Sequence, residues 1–164
     1  MDVLAGPLLA AATLLVAGGA PKVLAPADTA RALRAMRLPV GDLGVRLLGL
    51  AEMLSGIAVV ISPGRPTAVV VALWYAAFTV VVVLALRSDK PLATCGCFGG
   101  TDTPPTYGHL VLVTAASVSA AVFALDPSDN LFAGQPWLGL PLLMLAALTA
   151  WFGYLVMSRL AVLR

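Results

Sequence analysis

Five apolar stretches dominate this 164-residue chain, and each approaches the roughly 20 residues that an α-helix needs to cross a bilayer. They cover residues 3–20, 43–61, 68–86, 107–125 and 137–157. Proline, glycine and charged residues fill the segments between them. Only 11% of all residues are charged, well below the roughly 25% of soluble domains. The pattern predicts an all-α, polytopic transmembrane helix bundle embedded in a lipid bilayer.

The length and net charge of the chain limit the additional domains and partners that such a bundle can have. The chain accommodates a single integral membrane domain over residues 1–164, with no room for an additional soluble domain. A formal net charge of +2 indicates no nucleic-acid partner. The first apolar stretch follows Met1-Asp2 without the basic region of a signal peptide, so we interpret it as a membrane span.

The basic residues predict an orientation in the membrane. Arg65 falls on one side of the predicted spans, and the other nine fall on the opposite side or at its margin. Those nine are Lys22, Arg31, Arg34, Arg37, Arg46, Arg87, Lys90, Arg159 and Arg164. The positive-inside rule then predicts a bacterial cytoplasmic-membrane protein with its N-terminus outside and its C-terminus in the cytoplasm. Arginines at every third position of residues 28–38 predict a short basic helix along the headgroups.

Both cysteines of the chain stand between the third and fourth apolar stretches, as Cys95-Gly96-Cys97. Two cysteines this close need only a modest bend at Gly96 to reach the ~5.5 Å Cα separation of a disulfide. The ring so formed is tight, and strained disulfides are the more oxidising and exchangeable ones. The spacing favours a redox-active Cys95–Cys97 disulfide.

Other interpretations of the pair remain open. Free cysteines in membrane proteins are often inert small hydrophobes, although these two lie in a glycine-rich loop. A Cu(I) site is a further alternative, but one histidine and no third cysteine leave a tetrahedral set incomplete, so no metal is expected. A structural disulfide would require the inverted topology. Thr103 before two prolines predicts the N-terminus of a helix. The dipole of that helix, together with Lys90, would favour the thiolate form of a nearby cysteine. Which cysteine is attacked first stays open.

Glu52 lies near the middle of the second apolar stretch, where an ionised carboxylate is costly and usually functional or paired. Its functional interpretation is a proton donor or acceptor for thiol chemistry. Its structural interpretation is a packing residue paired with Lys22 or Arg46. His109, near the start of the fourth stretch, is a third candidate for titration beside the cysteines.

Several further side chains have an architectural interpretation. The small residues Ala51 and Ser55 predict close helix approach along the second span. Trp74, Tyr75 and Phe78 are interpreted mainly as bundle packing, with a quinone pocket as the less favoured alternative.

Three motifs together resemble the methylamine utilisation protein MauE family, within the DoxX-like membrane proteins. They are the glycines and lysine of residues 18–22, Glu52 within residues 51–56, and Cys95-Gly96-Cys97-Phe98-Gly99. The resemblance covers residues 1–125 and implies a four-helix transmembrane core, which leaves residues 126–164 as an extra loop and a fifth C-terminal span. It also implies thiol–disulfide metabolism beside a thioredoxin-fold partner that serves exported proteins. Family members often carry an Arg-Asn pair where this chain has Gly108-His109.

Taken together, these features predict a membrane thiol–disulfide redox protein that relays reducing equivalents through Cys95 and Cys97. A non-catalytic scaffold for a redox partner and a soft-metal carrier are the alternatives. The charges place the cysteine loop on the cytoplasmic side. The resemblance instead implies that the cysteines act on disulfides of proteins outside the cytoplasm. Alternating access reconciles the two expectations, with the direction of electron flow and the use of quinone left open.

Overall fold

The computed structural model describes residues 4–36, 38–87, 106–127 and 140–158. Every regular element in these ranges is an α-helix. The helices are α1 (Ala5–Leu24), α2 (Pro26–Ala35), α3 (Asp42–Ile61), α4 (Arg65–Leu86), α5 (Tyr107–Leu125) and α6 (Leu140–Ser158). The all-α prediction is confirmed.

Four of the described helices, α1, α3, α4 and α5, are long and apolar enough to cross a bilayer. Large apolar side chains are exposed along them, including Leu47, Leu54, Leu73 and Val111. Polar side chains on these helices often donate to a carbonyl one turn earlier, as Thr13 Oγ1 does to the oxygen of Leu9 at 2.8 Å. A hydrocarbon environment requires both features, because it solvates apolar surface and offers polar groups no water. The predicted polytopic membrane bundle is therefore confirmed.

Helix α1 continues further than its apolar stretch suggests. The sequence predicts an end at residue 20, yet α1 passes through Pro21 and includes Lys22. A proline lacks an N–H and therefore removes one helical hydrogen bond, to the carbonyl of Ala17. Only the last turn of the helix follows Pro21, and the carbonyl of Pro21 still accepts from the N–H of Ala25 at 2.7 Å. The helix therefore tolerates the proline and carries Lys22 on its final turn.

Helix α1 lies at the centre of the bundle and contacts each of the other five helices. Leu8, Leu9 and Leu15 are completely or almost completely buried. The buried apolar residues of α1 form one core with apolar side chains of α3, α4, α5 and α6. Helix α3 packs most extensively on α1, whereas α4 packs mainly on α5.

Glycines bring α1 and α3 unusually close together. A Cβ atom placed on Gly56 would lie 2.4 Å from the carbonyl oxygen of Ala12, and one on Gly19 would lie 2.5 Å from that of Gly49. The backbones therefore approach closely at points where at least one of the two residues has no side chain. This corrects the expectation for Ala51, which is exposed, whereas Ser55 does lie at a helix contact, with α4, where Trp74 Nε1 donates to its Oγ.

Helices α4 and α5 run antiparallel and are joined by hydrogen bonds. Ser117 Oγ donates to the carbonyl of Ala72 at 3.0 Å. Arg65, the first residue of α4, donates through Nε and Nη2 to the carbonyls of Ala124 and Leu125 at 2.9 and 3.0 Å. Those carbonyls end α5 and have no partner within their own helix, so Arg65 caps it.

The opposite end of the bundle, here called the basic end, is where α1 and α4 finish and α3 and α5 begin, at Leu24, Leu86, Asp42 and Tyr107. Helix α2 lies there. It spans Pro26–Ala35 rather than the predicted residues 28–38, because Pro26 is well suited to the first position of a helix. Its buried face packs on α1 and α3, and its arginines Arg31 and Arg34 are exposed.

Candidate functional site

A buried ion pair joins the two helices that glycine brings together. Lys22 Nζ of α1 lies 2.7 Å from Glu52 Oε2 of α3. The relative exposures of the two residues are 3% and 0%. The ammonium also donates to the carbonyl of Gly18 at 3.2 Å. Charges this deep are expected to be paired, and here each partner is the counter-charge of the other.

The direction of helical side chains explains why this pair forms. In an α-helix each Cα–Cβ bond points toward the N-terminus, so Lys22 extends from the last turn of α1 back into the bundle. The lysine stem starts beside the glycine contact, because a Cβ on Gly49 would lie 2.8 Å from Lys22 Cβ. Glu52 follows Gly49 by one turn and meets the ammonium. Lys22 therefore enters the membrane interior instead of reaching the headgroups. Arg46, the other predicted partner of Glu52, is exposed.

Three aromatic residues of α4 face α1 and α3, and one of them contacts the ion pair. The ring of Phe78 lies with its centroid 5.5 Å from Lys22 Nζ, within the range of a cation–π contact. Trp74 Nε1 donates to Ser55 Oγ at 3.0 Å, and the Tyr75 hydroxyl donates to the carbonyl of Ala11 at 2.8 Å. Phe78 also packs edge-on against Tyr75. Phe78 thus covers the ammonium, while Trp74 and Tyr75 join α4 to α3 and α1 by hydrogen bonds.

The two oxygens of Glu52 have different surroundings. Oε2 accepts from Lys22, whereas Oε1 is buried and has no hydrogen-bond partner among the described residues. A buried carboxylate oxygen without a donor is costly. Oε1 is therefore an acceptor that the described residues leave open.

His109 is part of the cap that starts α5. Thr106 Oγ1 accepts from the backbone N–H of His109 at 3.4 Å, and the N–H of Thr106 donates to His109 Nδ1 at 3.3 Å. This reciprocal arrangement is a capping box with histidine in the place usually held by Glu or Gln. The cap of α5 is therefore Thr106 and not Thr103. His109 is 2% exposed, so it is a buried group and not a solvated interfacial one.

The register of α4 and α5 sets the depth of His109. The bond from Ser117 to Ala72 fixes which residues stand level in this antiparallel pair. Counting equal steps toward the basic end places His109 level with Val80, only about 3 Å along the axis beyond Phe78. The histidine thus lies at nearly the same depth as the cover of the ion pair.

Cys95, Cys97, Lys90 and Thr103 lie outside the described residues. The segment that carries them follows Arg87 at the end of α4 and precedes Thr106 at the start of α5. Both of those residues are at the basic end, the end on which Lys22 and His109 also lie. The described ranges contain no group of three or more His, Cys, Asp or Glu residues that could hold a metal ion.

A groove of about 700 Å³ lies between α1 and α6, next to the start of α2. It is mainly apolar and is separate from the aromatic cover of the ion pair. Its walls include Thr13 and Pro21 of α1, Asp28 of α2, and Trp151 and Tyr154 of α6. Its volume suits a small hydrophobic molecule or a lipid chain.

Comparison with known protein families gives a match to the family model described as methylamine utilisation protein MauE, over residues 2–127. The matched region is well over half of the 164 residues. The chain belongs to the MauE family. Comparisons with curated proteins and with solved structures give no match.

Within this MauE-family chain, the matched region contains α1 to α5 and therefore the whole ion-pair cluster. Helix α6 begins at Leu140, beyond the match. Sequence reasoning named Glu52, Lys22 and His109, but it missed Phe78 as a contact of the ammonium and Thr106 as the partner of His109. The Thr106-x-x-His109 spacing carried a signal for the cap, whereas nothing local in the sequence indicated the role of Phe78.

Proposed function

We propose that this MauE-family protein is a membrane thiol–disulfide redox protein that relays reducing equivalents through Cys95 and Cys97 to or from a thioredoxin-fold partner. The observation that carries the proposal is the attachment of the Cys-Gly-Cys segment at the basic end of a bundle that holds a buried carboxylate. The segment begins after Arg87 and ends before Thr106, and Glu52, with its open oxygen Oε1, lies in the bundle interior near the middle of α3.

The proposed exchange proceeds in two balanced steps. The thiolate of one cysteine attacks a sulfur of the partner's disulfide, which forms a mixed disulfide and releases one partner thiolate. The second cysteine then attacks the mixed disulfide, which closes Cys95–Cys97 and releases the second partner thiolate. Two electrons and two protons pass to the partner. A second thioredoxin-fold dithiol returns the chain to its reduced form by the same steps in reverse, and oxidation of a partner uses the same atoms in the opposite direction.

We place the protein in the cytoplasmic membrane of a bacterium, with the basic end in the cytoplasm. Arg31, Arg34 and Arg46 are exposed at that end, while Arg65 at the other end is engaged with carbonyls of α5. Lys22 is buried and contributes little to the charge bias, but the remaining asymmetry still follows the positive-inside rule.

Single-cysteine variants test this orientation in a C95S/C97S background, which contains no other thiol. Ser62→Cys introduces an exposed thiol between α3 and α4, and Ala35→Cys introduces one at the end of α2. A membrane-impermeant thiol reagent applied to intact cells should label the first and spare the second until the cells are opened. The reverse pattern would invert the proposed orientation.

The relay itself is tested by trapping. Cys95→Ser and Cys97→Ser each leave a single thiol, so a covalent adduct in either variant identifies the sulfur that formed it. We expect one variant to accumulate a mixed disulfide with a thioredoxin-fold protein, and C95S/C97S to accumulate none. If neither single variant traps a partner and both support function in cells, the protein is a scaffold and not a relay. Stoichiometric Cu(I) that is lost in C95S/C97S would instead identify a metal carrier.

A further inference from the structure

The groove between α1 and α6 is bordered largely by small residues. Ala17 of α1 and Ala147 and Ala150 of α6 line it, each with a side chain of one methyl group. These side chains fill little of the space between the helices, and about 700 Å³ remains, a volume that suits a ligand. Ala17, Ala147 and Trp151 are exposed there. The groove therefore opens on the outer surface of the bundle, which faces the lipid.

The length of the groove matches one leaflet of a bilayer. Its α1 wall extends from Thr13, near the middle of the helix, to Ala25, the residue that follows its last turn. Residues 13 and 25 are twelve steps apart, which at 1.5 Å for each step gives about 18 Å. Half of a hydrocarbon core of roughly 30 Å is about 15 Å. The groove therefore follows a single lipid from the middle of the membrane to the headgroups at the basic end.

A pair of opposite charges stands where the groove reaches the headgroups. Asp28, in the first turn of α2, is the charged residue among the described residues that line the groove. Its Oδ1 accepts a hydrogen bond from Nη2 of Arg31. The Asp28 side chain is 33% exposed and that of Arg31 is 74% exposed. The mouth of the groove thus offers a carboxylate, with a guanidinium beside it on the side of the water.

These charges decide which lipid the groove favours. Apolar contact does not select one lipid over another, because an acyl chain is surrounded by hydrocarbon before and after it binds. An ethanolamine headgroup carries a primary ammonium, which can donate to Asp28, and a phosphate, which can accept from Arg31. A glycerol headgroup brings no cation to Asp28, and a choline headgroup brings a cation that has no N–H. The pair therefore complements ethanolamine better than either of the other two headgroups.

We propose that the groove between α1 and α6 binds one phosphatidylethanolamine molecule from the leaflet at the basic end. An acyl chain lies along α1, and the headgroup contacts Asp28 and Arg31. This lipid site goes beyond the proposed thiol relay. It involves neither Cys95 nor Cys97, so its tests and the trapping of a partner have independent outcomes.

Native mass spectrometry of the whole chain tests the choice of headgroup. The protein is released from detergent micelles that contain phosphatidylethanolamine, phosphatidylcholine or phosphatidylglycerol with identical acyl chains, and the dissociation constant of the first bound lipid is measured. We expect phosphatidylethanolamine to bind about 10-fold more tightly than the other two, which corresponds to about 1.4 kcal/mol. Equal binding of the three lipids, or a preference for phosphatidylglycerol, would overturn the proposal.

Asp28→Asn should abolish the preference for phosphatidylethanolamine in the same measurement, because the amide has no charge for the ammonium. Asp42→Asn is the matched control. Asp42 also lies in the first turn of a helix at the basic end and is exposed, but it is not among the residues that line the groove. The control should keep the preference. A preference that survives Asp28→Asn would show that Asp28 does not bind the headgroup and would refute the site.

Quenching of Trp151 fluorescence tests the position of the lipid. Trp74→Phe and Trp137→Phe leave Trp151, which lines the groove, as the one tryptophan of the chain. Phosphatidylethanolamine with brominated acyl chains should quench it. Ala17→Leu fills the groove and should largely abolish the quenching, whereas Ala51→Leu, the same change at an exposed alanine of α3, should not. Equal quenching in both variants would place the lipid elsewhere, and a dimer that Ala17→Leu dissociates would make a second copy the occupant; either result contradicts the proposal.

Discussion

Gly56→Ala tests the close contact of α1 and α3 that brings Lys22 to Glu52. A Cβ on Gly56 would lie 2.4 Å from the carbonyl oxygen of Ala12, whereas ordinary contacts begin near 3.4 Å. The helices must therefore separate locally by about 1 Å, since a backbone carbonyl cannot rotate away. Overpacking costs about 1–3 kcal/mol, and the better helix propensity of alanine returns about 1 kcal/mol. We expect a net loss of up to about 2 kcal/mol in the free energy of unfolding.

The assay is unfolding in mixed micelles with a denaturing detergent, followed by the circular dichroism of the helices. Gly153→Ala is the matched control, because a Cβ there first meets a flexible Leu14 side-chain atom at 3.5 Å. This control should be neutral or stabilising by up to about 1 kcal/mol. If Gly56→Ala is as stable as Gly153→Ala, the helices are not in backbone contact and the explanation of the ion pair is wrong.

Three further changes have defined outcomes. Lys22→Met alone leaves Glu52 unpaired and should destabilise the protein by about 3–5 kcal/mol, most of which Lys22→Met/Glu52→Gln should recover in the same unfolding assay. Tyr75→Phe removes the hydroxyl that donates to Ala11 and should cost about 0.6 kcal/mol, the average for such bonds in membranes; a neutral result would mean that the bond is not formed. Arg65→Gln removes a charged cap of α5 and should cost about 1 kcal/mol, with increased hydrogen exchange at the end of α5; unchanged exchange there would contradict the capping role.

Hydropathy predicted the membrane helices well because their length and composition are set by the bilayer, which acts on each helix separately. The ranges for α3, α4 and α5 differ from the structure by three residues or fewer at each end. The end of α1 was placed too early, because Pro21 and Lys22 interrupt the apolar run although they do not end the helix. Local composition does not reveal that the last turn of a helix tolerates both.

Contacts between helices were much less predictable. Glu52 was named as a residue in need of a partner, and Lys22 as one of two candidates, because a charge in hydrocarbon requires compensation. The choice between Lys22 and Arg46 depends on the register of α1 against α3, which the positions of Gly19, Gly49 and Gly56 determine. The packing of a third helix, α4, makes Phe78 a neighbour of the ammonium. The cysteines lie outside the described residues, so their role stays a prediction from the sequence.

The cap that Arg65 places on α5 has a mechanical consequence. It links the first residue of α4 to the last residues of α5, so these two antiparallel helices are fastened together at one end of the bundle. A pair of rods joined at one end opens like a hinge, and the gap grows with distance from the joint. In α4 and α5, which the bond from Ser117 to Ala72 also joins partway along, the ends farthest from both joints are at Arg87 and Thr106. A small tilt of either helix would therefore produce its largest displacement where the Cys-Gly-Cys segment is attached.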